Sequence, residues 1–305
     1  LDHVPAHGQD YRAAGPPRRD HGLGHPPQAV GAEQARQARD QGGDAHPSHR
    51  RPGEMPGQAC ARGAGEELAA IGSMANSRAK VRVFSDDGNC VHDPLIMQRA
   101  LEYVKGFDGV IAQHAQEPRL TQGAQMNDGA LATELGLKGW PSVAEESIIA
   151  RDALLAEQTG ARLHICHLTT AGAVDVVRWA KKRGIQITAE VTPHHLMLTE
   201  ELVRGYDPIY KVNPPLRSKE DTLALRAAVL DGTIDILGTD HAPHSIEKKD
   251  CEWEAAAFGM VALEHAASVL QEVVLGGGGD WGLFAKLISS KPAEIARLSG
   301  QGELA

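Results

Sequence analysis

Histidine and aspartate stand directly after four apolar runs of this chain. Val81-Arg82-Val83-Phe84 leads into Ser85-Asp86-Asp87-Gly88, and Val110-Ile111-Ala112-Gln113 leads into His114. Leu163-His164-Ile165-Cys166 leads into His167, and Ile234-Asp235-Ile236-Leu237-Gly238 into Thr239-Asp240-His241-Ala242-Pro243-His244. Imidazole and carboxylate are ligand types for a divalent metal. One such histidine would ordinarily be a satisfied structural residue, but four strand ends bearing ligand-type residues weaken that explanation. A fifth run ends in Glu190-Val191-Thr192-Pro193-His194-His195. That pair reads either as further ligands or as two histidines hydrogen-bonded in a loop after Pro193 has ended the strand. Asn213, held extended by Pro214 and Pro215, suits either a hydrogen bond to a polar ligand or the bracing of its own loop.

These residues can meet only if the runs are neighbouring strands. Between them the spacing predicts helices over residues 66–77, 94–104, 143–157 and 171–183, with Asp93 as N-cap and Pro94 at the first helical position of the second. Strands alternating with helices imply a parallel sheet, either a barrel or a doubly wound fold. In a parallel barrel the C-terminal strand ends share one rim, so ligands far apart in sequence converge there.

Composition bounds the rest. A net charge of -9 argues against nucleic acid or an anionic membrane as partner. No apolar run approaches the roughly 18 residues a membrane helix needs. Four separated cysteines without a CxxC pair suit reduced thiols in a cytoplasmic enzyme. Residues 1–62 contain no Ile, Phe or Trp and are rich in Arg, Ala, Gly and Pro. They are expected to be disordered, or a stretch read in the wrong frame, while 63–305 form the folded domain.

Taken in order, the strings Phe84-Ser85-Asp86-Asp87-Gly88, Ala112-Gln113-His114, His164-Ile165-Cys166-His167, Thr188 to His195, Lys211 to Arg217 and Thr239 to His244 resemble the class I dihydroorotases of the amidohydrolase superfamily. The resemblance runs from about Gly63 to Gly302 and implies a (β/α)8 TIM-barrel-type fold, here incomplete with about five recognisable β/α units. It implies a zinc-dependent cyclic amidohydrolase that interconverts dihydroorotate and N-carbamoyl-L-aspartate in pyrimidine biosynthesis, with one or two zinc ions. By position, Asp87 would bridge the metals, His114 and His167 would bind the second zinc, and Asp240 would bind the first and shuttle the proton. Asn213, His244 and the backbone around Phe258-Gly259 would contact substrate. The chemistry agrees: amide hydrolysis needs an activated water and a polarised carbonyl, and zinc promotes both.

The family also carries a His-x-His pair with a following arginine after its first barrel strand, and a small β-domain after the barrel. No His-x-His precedes Asp87; His46-Pro47-Ser48-His49 has the wrong spacing for two side chains on one strand face. An inactive dihydroorotase-like chain that associates with a second copy or with aspartate transcarbamoylase is therefore the competing reading. A dihydropyrimidinase or allantoinase is a third, disfavoured because those enzymes use a lysine bridge where Asp87 stands. Residues 247–250 are expected to be a solvated loop, or one that covers the site, and Gly276 to Gly279 a flexible connection.

Overall fold

A computed structural model describes residues 64–303; the expectations for residues 1–62 lie outside the described residues. The elements in chain order are α1 (Ala64–Asn76), β1 (Val83–Ser85), α2 (Pro94–Lys105), β2 (Val110–Gln113), β3 (Met126–Asn127), α3 (Ala130–Leu135), β4 (Gly139–Trp140) and α4 (Val143–Thr159). There follow β5 (Arg162–Ile165), α5 (Ala171–Lys182), β6 (Ile187–Val191), α6 (Pro193–Met197), α7 (Lys219–Leu230), β7 (Ile236–Leu237), α8 (Ile246–Lys249), α9 (Ala266–Gly276), α10 (Trp281–Ala285) and α11 (Lys291–Ile295).

Local chemistry explains where the long helices begin and which way they face. Asp93 caps α2 by accepting from the Leu95 and Ile96 amides, with Pro94 inside the first turn. Met97, Ala100, Leu101 and Val104 then recur at helical spacing and are buried. Thr170 caps α5, which buries Ala173, Val174, Val177 and Ala180 in the same rhythm. Ser218 and Asp221 form a reciprocal capping box at the start of α7.

The main sheet has five strands in the order β1-β2-β5-β6-β7, and every pair is parallel. Its spatial order follows chain order without reversal, as in a barrel wall and unlike a doubly wound sheet, whose order turns back at a switch point. The expected five strands are present, with edges moved by one or two residues. The pairing also runs past the short β7: the Asp235 amide donates to Ala189 O at 2.9 Å and Gly238 to Val191 O at 3.0 Å. On the helix side, Ile149, Leu163, Ile165, Val177, Ile187, Leu225 and Leu270 join one core. On the other side, Val83, Val110 and Ile236 pack against Ile295.

The two-residue strands β3 and β4, with α3 between them, were not expected from the sequence; they pair with each other outside the main sheet. Arg217 joins this excursion to the barrel. Its fully buried guanidinium donates to Asn127 Oδ1, to Trp140 O and to Thr169 Oγ1, and lies 3.4 Å from Glu145. No helix of the described residues is long and apolar enough to cross a membrane.

Candidate metal centre

Asp87 lies in the turn after β1, where its amide donates to Ser85 Oγ at 3.0 Å. Gly88 closes the turn at φ 85°, a conformation that favours glycine. His114 follows β2 directly and His167 stands two residues after β5, both almost fully buried. Register pairs Ser85 with Ala112 and Ala112 with His164, so three neighbouring strands bring these side chains to one rim.

The three side chains converge. His114 Nδ1 is 2.9 Å from His167 Nε2, and Asp87 Oδ1 is 3.5 Å from the first and 3.4 Å from the second. Ligand atoms bonded at about 2.0–2.1 Å in a tetrahedral site sit roughly 3.3–3.4 Å apart, so this triangle matches one face of such a site. These three residues are the one possible metal-holding group among the described residues. Outer partners set the donor atoms. His114 Nε2 lies 2.7 Å from Gln116 Oε1, whose amide nitrogen donates to Thr121 Oγ1 at 2.7 Å. The Gln116 oxygen therefore accepts the Nε2 proton, which leaves the Nδ1 lone pair facing the group.

Electrostatics point the same way. Burial alone would raise the Asp87 carboxyl, yet hydrogen bonds and charge from His114 and His167 hold it far below the usual carboxylate range. Burial likewise disfavours charge on His167, but Asp87, Asp240 and Glu190 carry its imidazolium up to about 9. A site this attractive to positive charge suits a divalent cation. The backbone is strained here too: His167 has φ 36° and Asp240 φ 42°, left-handed values that cost of order 1–3 kcal/mol each in side-chain-bearing residues.

Asp240 lies beside this group and is not one of its three members. Burial raises its carboxyl pKa, the charge of His167 opposes that rise, and Asp87 and Glu190 add to it. Asn213 carries a buried Oδ1 with no hydrogen-bond partner in the protein, which leaves it available to a ligand. His244 Nε2 lies 2.7 Å from Phe258 O, and the Gly259 amide donates to Lys211 O at 3.0 Å, so this backbone is tied within the wall. Gly259 has φ 144°, and a Cβ there would come within 2.6 Å of Ala242 O.

The His194-His195 pair divides. Both lie in α6, a short helix where a loop was expected, and neither joins the metal-holding group. His195 is pinned between Thr192 Oγ1 at 2.7 Å and Pro214 O at 3.1 Å. The expectation that both would be hydrogen-bonded fails for His194, whose buried ring nitrogens have no partner. Cys166 was expected within the strand but stands one residue beyond β5. Glu190 was not singled out as a site residue, yet its carboxylate meets His164 Nε2 at 3.2 Å and approaches the His167 amide at 3.4 Å. A glutamate inside an otherwise apolar strand was the available signal.

Residues 56–173 match the family model described as Dihydro-orotase-like. A dihydroorotase of Leifsonia xyli subsp. xyli is 70% identical over 239 residues, covering 78% of this chain and 55% of that protein. A dihydroorotase of Streptomyces coelicolor is 66% identical over 239 residues, covering 78% and 56%. Over the stretch it shares with them, this chain is similar to the dihydroorotases. It spans about half the length of the curated relatives it matches. Its fold is that of the amidohydrolase barrels, in part: dihydropyrimidinase from Brevibacillus agri superposes with a TM-score of 0.68 at 21% identity, covering 79% of this chain and 56% of that one. The dihydroorotase family implies a metal, and the Asp87, His114 and His167 group is where the described residues of this chain could hold one.

The mount of that metal-holding group also makes a pH test. Gln113, just before His114, donates to Asp152 Oδ2 at 2.8 Å and exchanges hydrogen bonds with the Val91 backbone, tying β2 to the loop after Asp87. Burial pushes the Asp152 carboxyl up to about 6, against the opposing pull of Arg151 and Gln113. Between the ordinary 3.8 and about 6, the folded state therefore binds more protons than the unfolded one. Stability attributable to Asp152 is full at low pH and declines as pH rises through that window. For Asp152→Asn the decline disappears, so its stability relative to the parent should grow by up to roughly 3 kcal/mol between pH 4 and pH 7. Parallel melting curves read this directly, and a constant difference across that range refutes it.

Proposed function

We propose that this chain carries the metal-binding part of a dihydroorotase that hydrolyses dihydroorotate reversibly to N-carbamoyl-L-aspartate in pyrimidine biosynthesis. The observation that carries the reading is the triangle of Asp87 Oδ1, His114 Nδ1 and His167 Nε2, with edges of 2.9 to 3.5 Å, at three adjacent strand ends. Its donors, two imidazoles and a carboxylate, suit one or two zinc ions. Zinc held there would supply a Lewis acid for the amide carbonyl and would lower the pKa of water to about 7.

The chain's own groups account for binding and proton movement. Asp240, beside the group and raised by burial, accepts the proton of the attacking water and delivers it to the ring nitrogen as the amide carbon–nitrogen bond breaks. Asn213 offers its unpartnered side-chain oxygen to a substrate N–H. His244 faces the carboxylate or developing negative charge with the ring nitrogen not engaged by Phe258 O. Phe258 and Gly259 form the wall behind it.

A second reading has one supporting observation. β1 and β7 are the edges of the described five-strand sheet. Sheet edges without a strand partner favour association with a second copy or a partner such as aspartate transcarbamoylase. Separated free cysteines among the described residues suit a cytoplasmic setting for either reading. Zinc stoichiometry on the purified chain, measured alongside dihydroorotate hydrolysis, separates them. Bound zinc with turnover supports the enzyme, and absent zinc with no turnover leaves association.

A further inference from the structure

Residues 247–250, expected to be a solvated loop, do something else. Lys249 ends the short helix α8 and points its ammonium inward, donating to Pro208 O at 2.9 Å, Lys211 O at 3.0 Å and Ala257 O at 2.8 Å. Three N–H donors meet three carbonyls, which uses the whole donor capacity of an ammonium. Lys211 makes the reverse connection. Its side chain is almost fully buried and donates to Trp253 O at 2.6 Å and Glu254 O at 3.1 Å, with its charge 4.5 Å from the centre of the Phe258 ring. Each lysine thus binds carbonyls of the segment that carries the other. Among the described residues the hydrogen-bond partners of both ammoniums are backbone carbonyls.

The two segments joined this way matter for the site. One runs from Pro208 to Asn213; the other runs from His244 to Gly259. Without the lysines they share the bond from the Gly259 amide to Lys211 O. At that contact Gly259, with φ 144°, lies close against Ala242 and His244.

We infer that Lys211 and Lys249 are positioning residues, a reciprocal clasp that locks the Asn213 segment to the His244–Phe258 segment so that both substrate-facing walls move as one. Both ammoniums are spent on backbone carbonyls. Each acts by fixing carbonyls whose displacement would move Asn213 or His244, and a misplacement of about 1 Å is enough to weaken binding severely. The substrate side of this inference rests on the dihydroorotase reading; the clasp itself does not.

Hydrogen exchange on the full chain with zinc present, comparing Lys249→Met, Lys249→Arg and Lys211→Met with the parent, tests it. Both methionine variants should accelerate exchange about tenfold or more in residues 207–213 and 244–260 together, while β2 and β5 stay unchanged. The arginine variant should restore part of the protection. Faster exchange only in the substituted segment, faster exchange everywhere, or no change would each overturn the clasp. Binding of orotate, a non-hydrolysed planar analogue, should weaken about tenfold in Lys249→Met at unchanged zinc content. Loosened segments with unchanged orotate affinity would overturn the positioning role. A parent chain that neither binds orotate nor hydrolyses dihydroorotate would instead defeat the functional reading, with the exchange pattern still deciding the clasp.

Discussion

Asp87→Asn should leave a folded protein that no longer holds zinc. The substitution keeps the shape of the side chain and removes its charge, and Asp87 Oδ1 is the anionic corner of the three-atom group. Without it, two buried imidazoles remain to bind a dication. Even the loss of an outer partner of a ligand weakens metal binding about 10- to 100-fold, so loss of the charged ligand should cost roughly 100-fold or more. Hydrolysis of dihydroorotate should fall with it. Metal analysis after dialysis against a weak chelator gives the readout, and an unchanged melting transition of the metal-free protein confirms the fold. A variant that keeps the parent's zinc stoichiometry would mean that the metal sits elsewhere.

Much of this centre was legible because its chemistry sits where a strand pattern stops. The runs ending at Gln113 and Cys166 are apolar and rich in β-branched or aliphatic residues, so His114 and His167 could be placed at strand ends without knowing the fold. The helix at Pro94 was legible for a similar reason: Asp93, Pro94 and the spacing Met97, Leu101, Val104 all give the same answer. The parallel strand order then brings the three side chains together with no further information.

What could not be read depends on partners that side-chain patterns do not encode. β3 and β4 are two residues each, too short for any periodicity, and Arg217 links them to the barrel from dozens of residues away. Gln116 selects the donor nitrogen of His114 through a contact that only the loop geometry creates. Lys249 looked like one member of a charge run, because its three partners are backbone carbonyls, which every residue possesses. His194 and His195 are adjacent in sequence, yet a single helical turn gives one of them three partners and the other none.

Asp240→Asn separates the two roles that family resemblance assigns to this residue. As a proton carrier outside the three-atom group, Asp240 can be neutralised without loss of zinc, while hydrolysis should fall by about 10²- to 10⁴-fold. Because burial holds its carboxyl above the ordinary aspartate value, the parent's acid limb in kcat/KM should lie above pH 3.8. In Asp240→Asn the residual rate should lose that limb, since no group of this kind remains to be ionised. If the variant instead loses zinc as fully as Asp87→Asn does, Asp240 is chiefly a ligand and the proton must travel by another group. His244 would then be next to test, since Phe258 O engages only one of its ring nitrogens. Zinc content and pH profile, measured on the same preparation, therefore fix which carboxylate holds the metal and which one moves the proton.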